Sequence, residues 1–199
     1  MRIIAGLFRS RTLQAPAGLA TRPTTDRLRE TLFNVLAPRI QGAALLDLYA
    51  GSGAVGIEAL SRGAARVAFV ERAPAPLKAL ATNLEKLGIQ TGFRIHACAV
   101  GAFLRRSAGG SKLPGGKEKT RYEVVFLDPP YDADEEYATT LGLLGGAAAG
   151  LLAPGAVVIA EHRRKESLED RYGALERTRL LEQGDAALSF YAVIDPVVK

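Results

Sequence analysis

Residues 45–60 read LLDLYAGSGAVGIEAL, and this stretch decides the fold. Leu45 and Leu46 lead into Asp47, glycines follow at positions 51 and 53, and an apolar-periodic run then carries Val55, Ile57, Ala59 and Leu60. The order is strand, tight turn, helix. Glycine suits such a turn because its backbone angles are barred to other residues and because a ligand can then lie almost against the main chain. The helix that follows offers free N–H groups at its start, and a carboxylate at the strand end can accept hydrogen bonds from a cationic or hydroxyl-bearing ligand.

Working outward, ARVAFVER predicts a second strand with Glu71 at its tip, 18 residues past Gly53. That spacing places a carboxylate where it can accept both ribose hydroxyls of an adenosine. Gly51, Gly53 and Gly56 also satisfy the GxGxxG fingerprint of dinucleotide-binding proteins. Asp47 argues against a dinucleotide, since a pyrophosphate gains nothing from an acid four residues upstream whereas an aminoacyl sulfonium does. The pattern resembles the first motif of S-adenosylmethionine-dependent methyltransferases.

The second chemical stretch is YEVVFLDPPYD at residues 122–132. Val124 to Leu127 form a continuous apolar run, as in a strand buried on both faces of a parallel sheet. Asp128 ends it, and Pro129 and Pro130 forbid continuation as helix or ladder, leaving an extended backbone with free carbonyls. An acid, a rigid carbonyl and the ring of Tyr131 suit a planar base with an exocyclic amine. Such a nitrogen is a poor nucleophile because its lone pair is delocalised into the ring. If Asp128 and the Pro129 carbonyl each accept one N–H, the lone pair can turn towards an electrophilic methyl, with Tyr131 stacked on the base.

The chain has 199 residues, enough for one α/β domain with a small appendage, and 48% apolar residues with no run near the ~18 needed to span a bilayer. The start MRIIAGLFRSRTLQ, interrupted by arginines, is not expected to act as a secretory leader, and a single cysteine, Cys98, suits a reducing cytoplasm. His96 and His162 show no metal-ligand spacing, so no metal is expected. The net charge of +5 is concentrated at one end. Residues 1–39 hold Arg2, Arg9, Arg11, Arg22, Arg27, Arg29 and Arg39 against Asp26 and Glu30 alone, and the other residues balance. An arginine-only module points to a polyanionic partner, because guanidinium forks match phosphate oxygens.

Around these motifs, RIIAGLFRSRTLQAP predicts a hairpin about Gly6 and Ser10, and a helix is expected from Thr24 to Ala37, stopped by Pro38. PAPLKALATNLEKLG predicts a helix, GFRIHACAV a third strand and GAFLRR a short helix. Residues 107–121, rich in glycine and lysine, are expected to form a flexible loop. Residues 134–152 are expected to form a covering helix, AVVIAEH a strand and RRKESLEDRYG a solvated helix. Two terminal strands turning at Gly184 and Asp185 complete the expected order.

Taken together, MRIIAG, TRPTTDRLRETLFNVL, DLYAGSGAVGIEALSRGA, FVER and the DPPY motif resemble the RsmD family, bacterial enzymes that methylate guanine N2 in small-subunit ribosomal RNA. The resemblance runs from residue 1 to about 131 and resumes in LLAPGAVVIAEH. It implies a Rossmann-like class I fold, a seven-stranded and mostly parallel sheet with helices on both faces over residues 23–199. A basic β-hairpin over residues 1–22 would extend it. It implies that Asp47, Tyr49, Gly51, Ser52, Gly53, Glu71, Arg72, Ala99 and Asp128 bind S-adenosylmethionine, and that Asp128, Pro129, Pro130 and Tyr131 hold the target amine. Arg2, Arg9, Arg11 and Arg22 would contact RNA. A cytoplasmic monomer acting on an assembling small subunit, without membrane or metal, is the expectation that follows. Where related enzymes commonly place Asp or Asn to contact the adenine amine this sequence has Ala99, so that either the contact would rest on backbone groups or Ala99 is not the equivalent position. Two rival readings are a DNA adenine N6-methyltransferase, which uses the same acid, prolines and tyrosine, and a non-catalytic RNA-binding assembly factor.

Overall fold

The computed structural model describes residues 1–15, 26–108, 120–130 and 134–194, which form two compact units, Met1–Cys98 and Ala99–Lys199. In the first unit the order is α1 (Asp26–Ile40), β1 (Ala44–Leu48), α2 (Ala54–Ser61), β2 (Arg66–Glu71), α3 (Pro74–Lys86) and β3 (Phe93–Ala97). The three strands pair in parallel in the order β3-β2-β1, with Asp47 opposite Phe69 and Glu71 opposite Ala97. All five residues of β1 are buried, Asp47 included, as in a strand covered on both faces. Returning each parallel strand needs a crossover, and α2 and α3 supply it.

The second unit holds α4 (Val100–Ala108), β4 (Tyr122–Leu127), α5 (Asp134–Leu144), a 3-10 turn (Ala149–Leu151), β5 (Leu152–Arg163), β6 (Arg171–Tyr172), β7 (Leu175–Gln183) and β8 (Ala186–Val193). Here β4 and β5 are parallel, while β5, β8, β7 and β6 follow one another antiparallel. The tight turn at Gly184 closes the β7–β8 hairpin as expected. Eight strands are present among the described residues instead of seven, the extra one being the two-residue β6.

Three local expectations are corrected. Helix α1 does not stop at Pro38 but runs through it to Ile40. Proline removes one helical N–H, but Asn34 and Pro38 both lie on the exposed side, so the freed carbonyl of Asn34 can be hydrated. Residues 163–173 are not helical. Glu166 Oε2 accepts the Arg163 N–H at 3.0 Å, the Glu169 N–H donates to the Tyr172 hydroxyl at 3.0 Å, and Leu168 is buried. Side chains thus satisfy the backbone locally and compete with a helix. The covering helix over residues 134–152 ends at Leu144, because Gly145 lies against the chain at Tyr172 and its carbonyl accepts the Ala174 N–H at 2.8 Å. The loop expected over residues 107–121 falls mainly outside the described residues, which omit 109–119.

The N-terminal segment pairs with itself less regularly than a hairpin of two strands. A single antiparallel bridge joins Arg2 to Thr12, flanked by Ile3 N–H to Arg11 carbonyl at 2.9 Å and Leu13 N–H to Met1 carbonyl at 3.0 Å. Its position comes from α2. The buried carboxylate of Glu58 accepts the N–H groups of Ile4 at 2.8 Å and Ala5 at 3.0 Å and the Arg62 Nε at 2.7 Å. Ser61 adds its carbonyl to the Leu7 N–H at 2.7 Å and its hydroxyl to the Phe8 N–H at 3.0 Å. The fully buried Arg29 of α1 completes the hub, donating to the Arg2 carbonyl and, at 3.0 Å, to Asp26.

Candidate active site

In an open parallel sheet, ligands bind beyond the carboxyl ends of the strands, and in the first unit that edge is built from Asp47 to Gly53 and Glu71. Tyr49 leaves β1 with φ of 62°, and Gly51 and Gly53 follow with φ of 56° and 83°. The Gly53 N–H closes the turn on the Ala50 carbonyl at 2.8 Å, and the Gly53 carbonyl accepts the Ile57 N–H, the first helical bond of α2, at 2.8 Å. The glycines differ in what they make room for. A Cβ on Gly51 would meet nothing within 4 Å, so that position opens on space a ligand can enter. A Cβ on Gly56 would come within 2.2 Å of the Phe69 ring, so Gly56 exists to seat α2 against β2.

Both acids are engaged with the main chain. Glu71 Oε2 accepts the Gly51 N–H at 2.9 Å, and Oε1 accepts the N–H groups of Arg72 at 2.7 Å and Ala73 at 2.8 Å. A carboxylate offers about four acceptor directions, so three are used and the remaining one lies on Oε2. Glu71 therefore holds the glycine loop to the end of β2 and keeps one acceptor for a ligand hydroxyl. Asp47 is only 2% exposed and its Oδ2 accepts the Gly56 N–H at 2.9 Å. Burial pushes its pKa from an ordinary 3.8 up to about 7, the Gly56 N–H opposes the rise, and the neighbouring charge of Glu71 adds to it. Ser52 is buried and Arg72 exposed.

In the second unit Asp128 follows the last residue of β4, half-buried, with Pro129 buried and Pro130 exposed. Tyr131 lies outside the described residues, as does Arg22. Ala99 precedes α4, and its carbonyl accepts the Phe103 N–H at 3.0 Å; with a methyl side chain it leaves only backbone polar groups there. Among the described residues no group of His, Cys, Asp and Glu could hold a metal ion, and no helix is long and apolar enough to cross a membrane.

Arg2, Arg9 and Arg11 are all exposed on the N-terminal segment. Between that segment and the first turn of α1 lies a cleft of about 440 Å³ whose charged lining is Arg2, Arg9, Arg27, Asp26 and Glu30. Arg2 is partly neutralised by Asp26 at 3.5 Å, the Arg2 side chain being largely exposed and that of Asp26 half-buried. Arg11 does not line the cleft, whereas Arg27 does and was not among the residues singled out for RNA.

Sequence reasoning also missed Asn83, a buried residue of α3 whose side chain reaches both the N-terminal segment and the glycine loop. A signal was present: Ala79, Leu80 and Leu84 are buried on the same face, and an asparagine in that phase needs a partner.

A family model described as "Conserved hypothetical protein 95" matches residues 1–192. The "Putative rRNA methyltransferase YlbH" of Bacillus subtilis is 34% identical over 191 residues, covering 96% of this chain and 98% of that protein. "Ribosomal RNA small subunit methyltransferase D" of Escherichia coli K12 is 42% identical over 131 residues, 66% of this chain and 60% of that relative's length. Among solved structures, "Putative methyltransferase yhhF from Escherichia coli" superimposes with a TM-score of 0.80 at 34% identity, covering 98% of this chain and 99% of that one. The chain therefore belongs to the Conserved hypothetical protein 95 family, the RsmD family to which its motifs pointed, and has the α/β class I methyltransferase fold.

Proposed function

We propose that the chain is an S-adenosylmethionine-dependent ribosomal RNA methyltransferase that modifies the exocyclic N2 amine of a guanine in small-subunit RNA. Relatives with rRNA methyltransferase names support the reaction class. The observation that carries the amine is Asp128, half-buried at the carboxyl end of β4 and followed at once by two prolines.

The cofactor cradle fits the first unit. The open position at Gly51 admits a ligand against the main chain, Glu71 Oε2 keeps an acceptor for a ribose hydroxyl, and Asp47 supplies negative charge for the aminoacyl end. When bound, the cofactor supplies an activated methyl on a sulfonium leaving group, so no covalent nucleophile is required of the protein. The work of the chain is to hold and aim. Asp128 and the Pro129 carbonyl accept the two amine N–H groups, which frees the nitrogen lone pair from the ring, and Tyr131 stacks on the base. The charged cleft beside α1 is the seat for RNA phosphates, with Arg2, Arg9 and Arg27 as its cations and Arg11 outside it, and Arg22 is kept as a further RNA contact. A loop guanine on an assembling subunit suits this chemistry, since A-form RNA hides its base edges and an unpaired base is readily turned out. The enzyme acts as a monomer.

Asp128→Ala is the direct test. Methyl transfer to small-subunit RNA should fall by about 100-fold or more, with cofactor affinity nearly unchanged. Transfer at the wild-type rate would remove Asp128 from the amine site, and loss of cofactor binding with it would reassign Asp128 to the cofactor.

A further inference from the structure

The side chain of Asn83 makes three hydrogen bonds that join two parts of the first unit lying far apart in sequence. Its Oδ1 accepts the Gln14 N–H at 2.8 Å, and its Nδ2 donates to the Gln14 carbonyl at 3.1 Å and to the Ser52 carbonyl at 3.0 Å. The amide orientation follows from the partners, because only the oxygen can meet an N–H and only the nitrogen can meet two carbonyls. Both amide protons and the oxygen are thus committed, in a side chain only 1% exposed. Ser52 stands between Gly51 and Gly53, and Gln14 follows Arg2, Arg9 and Arg11 in the N-terminal segment.

We propose that Asn83 is a positioning residue that couples RNA docking on the N-terminal segment to cofactor binding in the glycine loop. The inference rests on the function proposed above and adds to it a linkage between the two ligands. The contacts favour it physically. Gln14 is gripped through both of its backbone groups, so a shift of the segment cannot be absorbed by a side-chain rotation and must move the amide of Asn83. That amide in turn holds the carbonyl of Ser52, and with it the peptide preceding Gly53. The same segment is fixed to α2 at Ile4, Ala5 and Phe8 by Glu58 and Ser61, so the stretch from Phe8 to Gln14, which carries Arg9 and Arg11, is held at both ends and transmits displacement rather than fraying. An RNA that fixes the position of this stretch then fixes that of the cofactor loop, and a cofactor that fixes the loop does the same for the RNA-contacting stretch. Such coupling is reciprocal by thermodynamic necessity.

The test measures four dissociation constants with S-adenosylhomocysteine, which has no methyl to transfer, and the small-subunit RNA fragment that the wild-type protein methylates. In the wild type, saturating RNA should tighten S-adenosylhomocysteine binding about fivefold or more, and the nucleoside should tighten RNA by the same factor. Asn83→Asp keeps the size and the acceptor but turns an oxygen towards two carbonyls, and Asn83→Leu removes all three bonds. In either variant, checked as folded by thermal unfolding, both ligands should still bind singly while the coupling factor falls close to one. A variant that keeps the wild-type factor would overturn the proposal, as would a wild type that binds both ligands independently. A wild type that binds no S-adenosylhomocysteine at all would instead overturn the function on which it rests.

Discussion

Asp47 is a carboxylate in a strand buried on both faces, and its titration gives a prediction with a definite sign. Below pH 3.8 the side chain is protonated whether the chain is folded or not. As the pH rises further the unfolded chain releases this proton, while the folded chain keeps it until about pH 7, because burial outweighs the single N–H from Gly56. The unfolded state is thus favoured progressively between these values, so this group's contribution to stability is full in acid and is lost as the pH rises to 7. A gap of about three pKa units corresponds to roughly 4 kcal/mol across the whole window, at about 1.4 kcal/mol per unit. Asp47→Asn keeps an acceptor for Gly56 and cannot ionise. Urea unfolding of both proteins from pH 4 to 8 should show the variant gaining on the wild type as the pH rises and a constant difference above pH 7.5. A second readout concerns the ligand: in the wild type, S-adenosylhomocysteine affinity should weaken below pH 7, where a proton must leave Asp47 before it can pair with the ligand's ammonium group. A stability difference independent of pH between 4 and 8 would show that Asp47 titrates normally, and the account of a buried, proton-holding acid would fail.

Other perturbations address other contacts. Gly56→Ala drives a methyl into the Phe69 ring and should cost about 1–3 kcal/mol; an unchanged urea midpoint would mean that α2 and β2 separate without penalty. Glu58→Ala removes the acceptor of two N-terminal amides and leaves the buried Arg29 beside an empty site, a loss of about 3–5 kcal/mol. Limited proteolysis should then cut near residues 4–9 more readily, and a wild-type cleavage pattern would contradict the hub. Arg9→Ala combined with Arg27→Ala should weaken RNA binding and reduce the slope of log K against log salt by about 1–2; an identical slope would take the cleft out of the RNA interface.

The centre of the fold was legible because its signals are local. A strand buried on both faces reads as an unbroken apolar run, as at Val124 to Leu127, the leucines leading into Asp47 mark β1, and a glycine turn between strand and helix has few alternatives. Glu71 was found by spacing, although its first duty proved to be binding three backbone N–H groups. What failed was decided by tertiary context. Pro38 should end a helix by local rules, yet on an exposed face the loss is small enough for α1 to continue to Ile40. The charged run from Arg163 to Arg171 reads as a solvated helix, but Leu168 buries and the side chains of Glu166 and Tyr172 capture backbone N–H groups. Arg29 and Asn83 were hidden because polar residues on a helix suggest solvent; both sit in phase with buried neighbours, and their partners lie 27 and 69 residues away in sequence. Long-range partners of this kind leave no mark on a single sequence beyond a polar residue in an apolar phase.

The central claim is tested most directly by incubating the protein with S-adenosylmethionine labelled in its methyl group and three acceptors in parallel. These are unmodified small ribosomal subunits, naked small-subunit RNA and duplex DNA, with base analysis of each product. The account predicts label in N2-methylguanine of RNA, with the first two acceptors showing whether a particle or free RNA is recognised. Label in DNA adenine, or none in any acceptor although the cofactor binds, would contradict it.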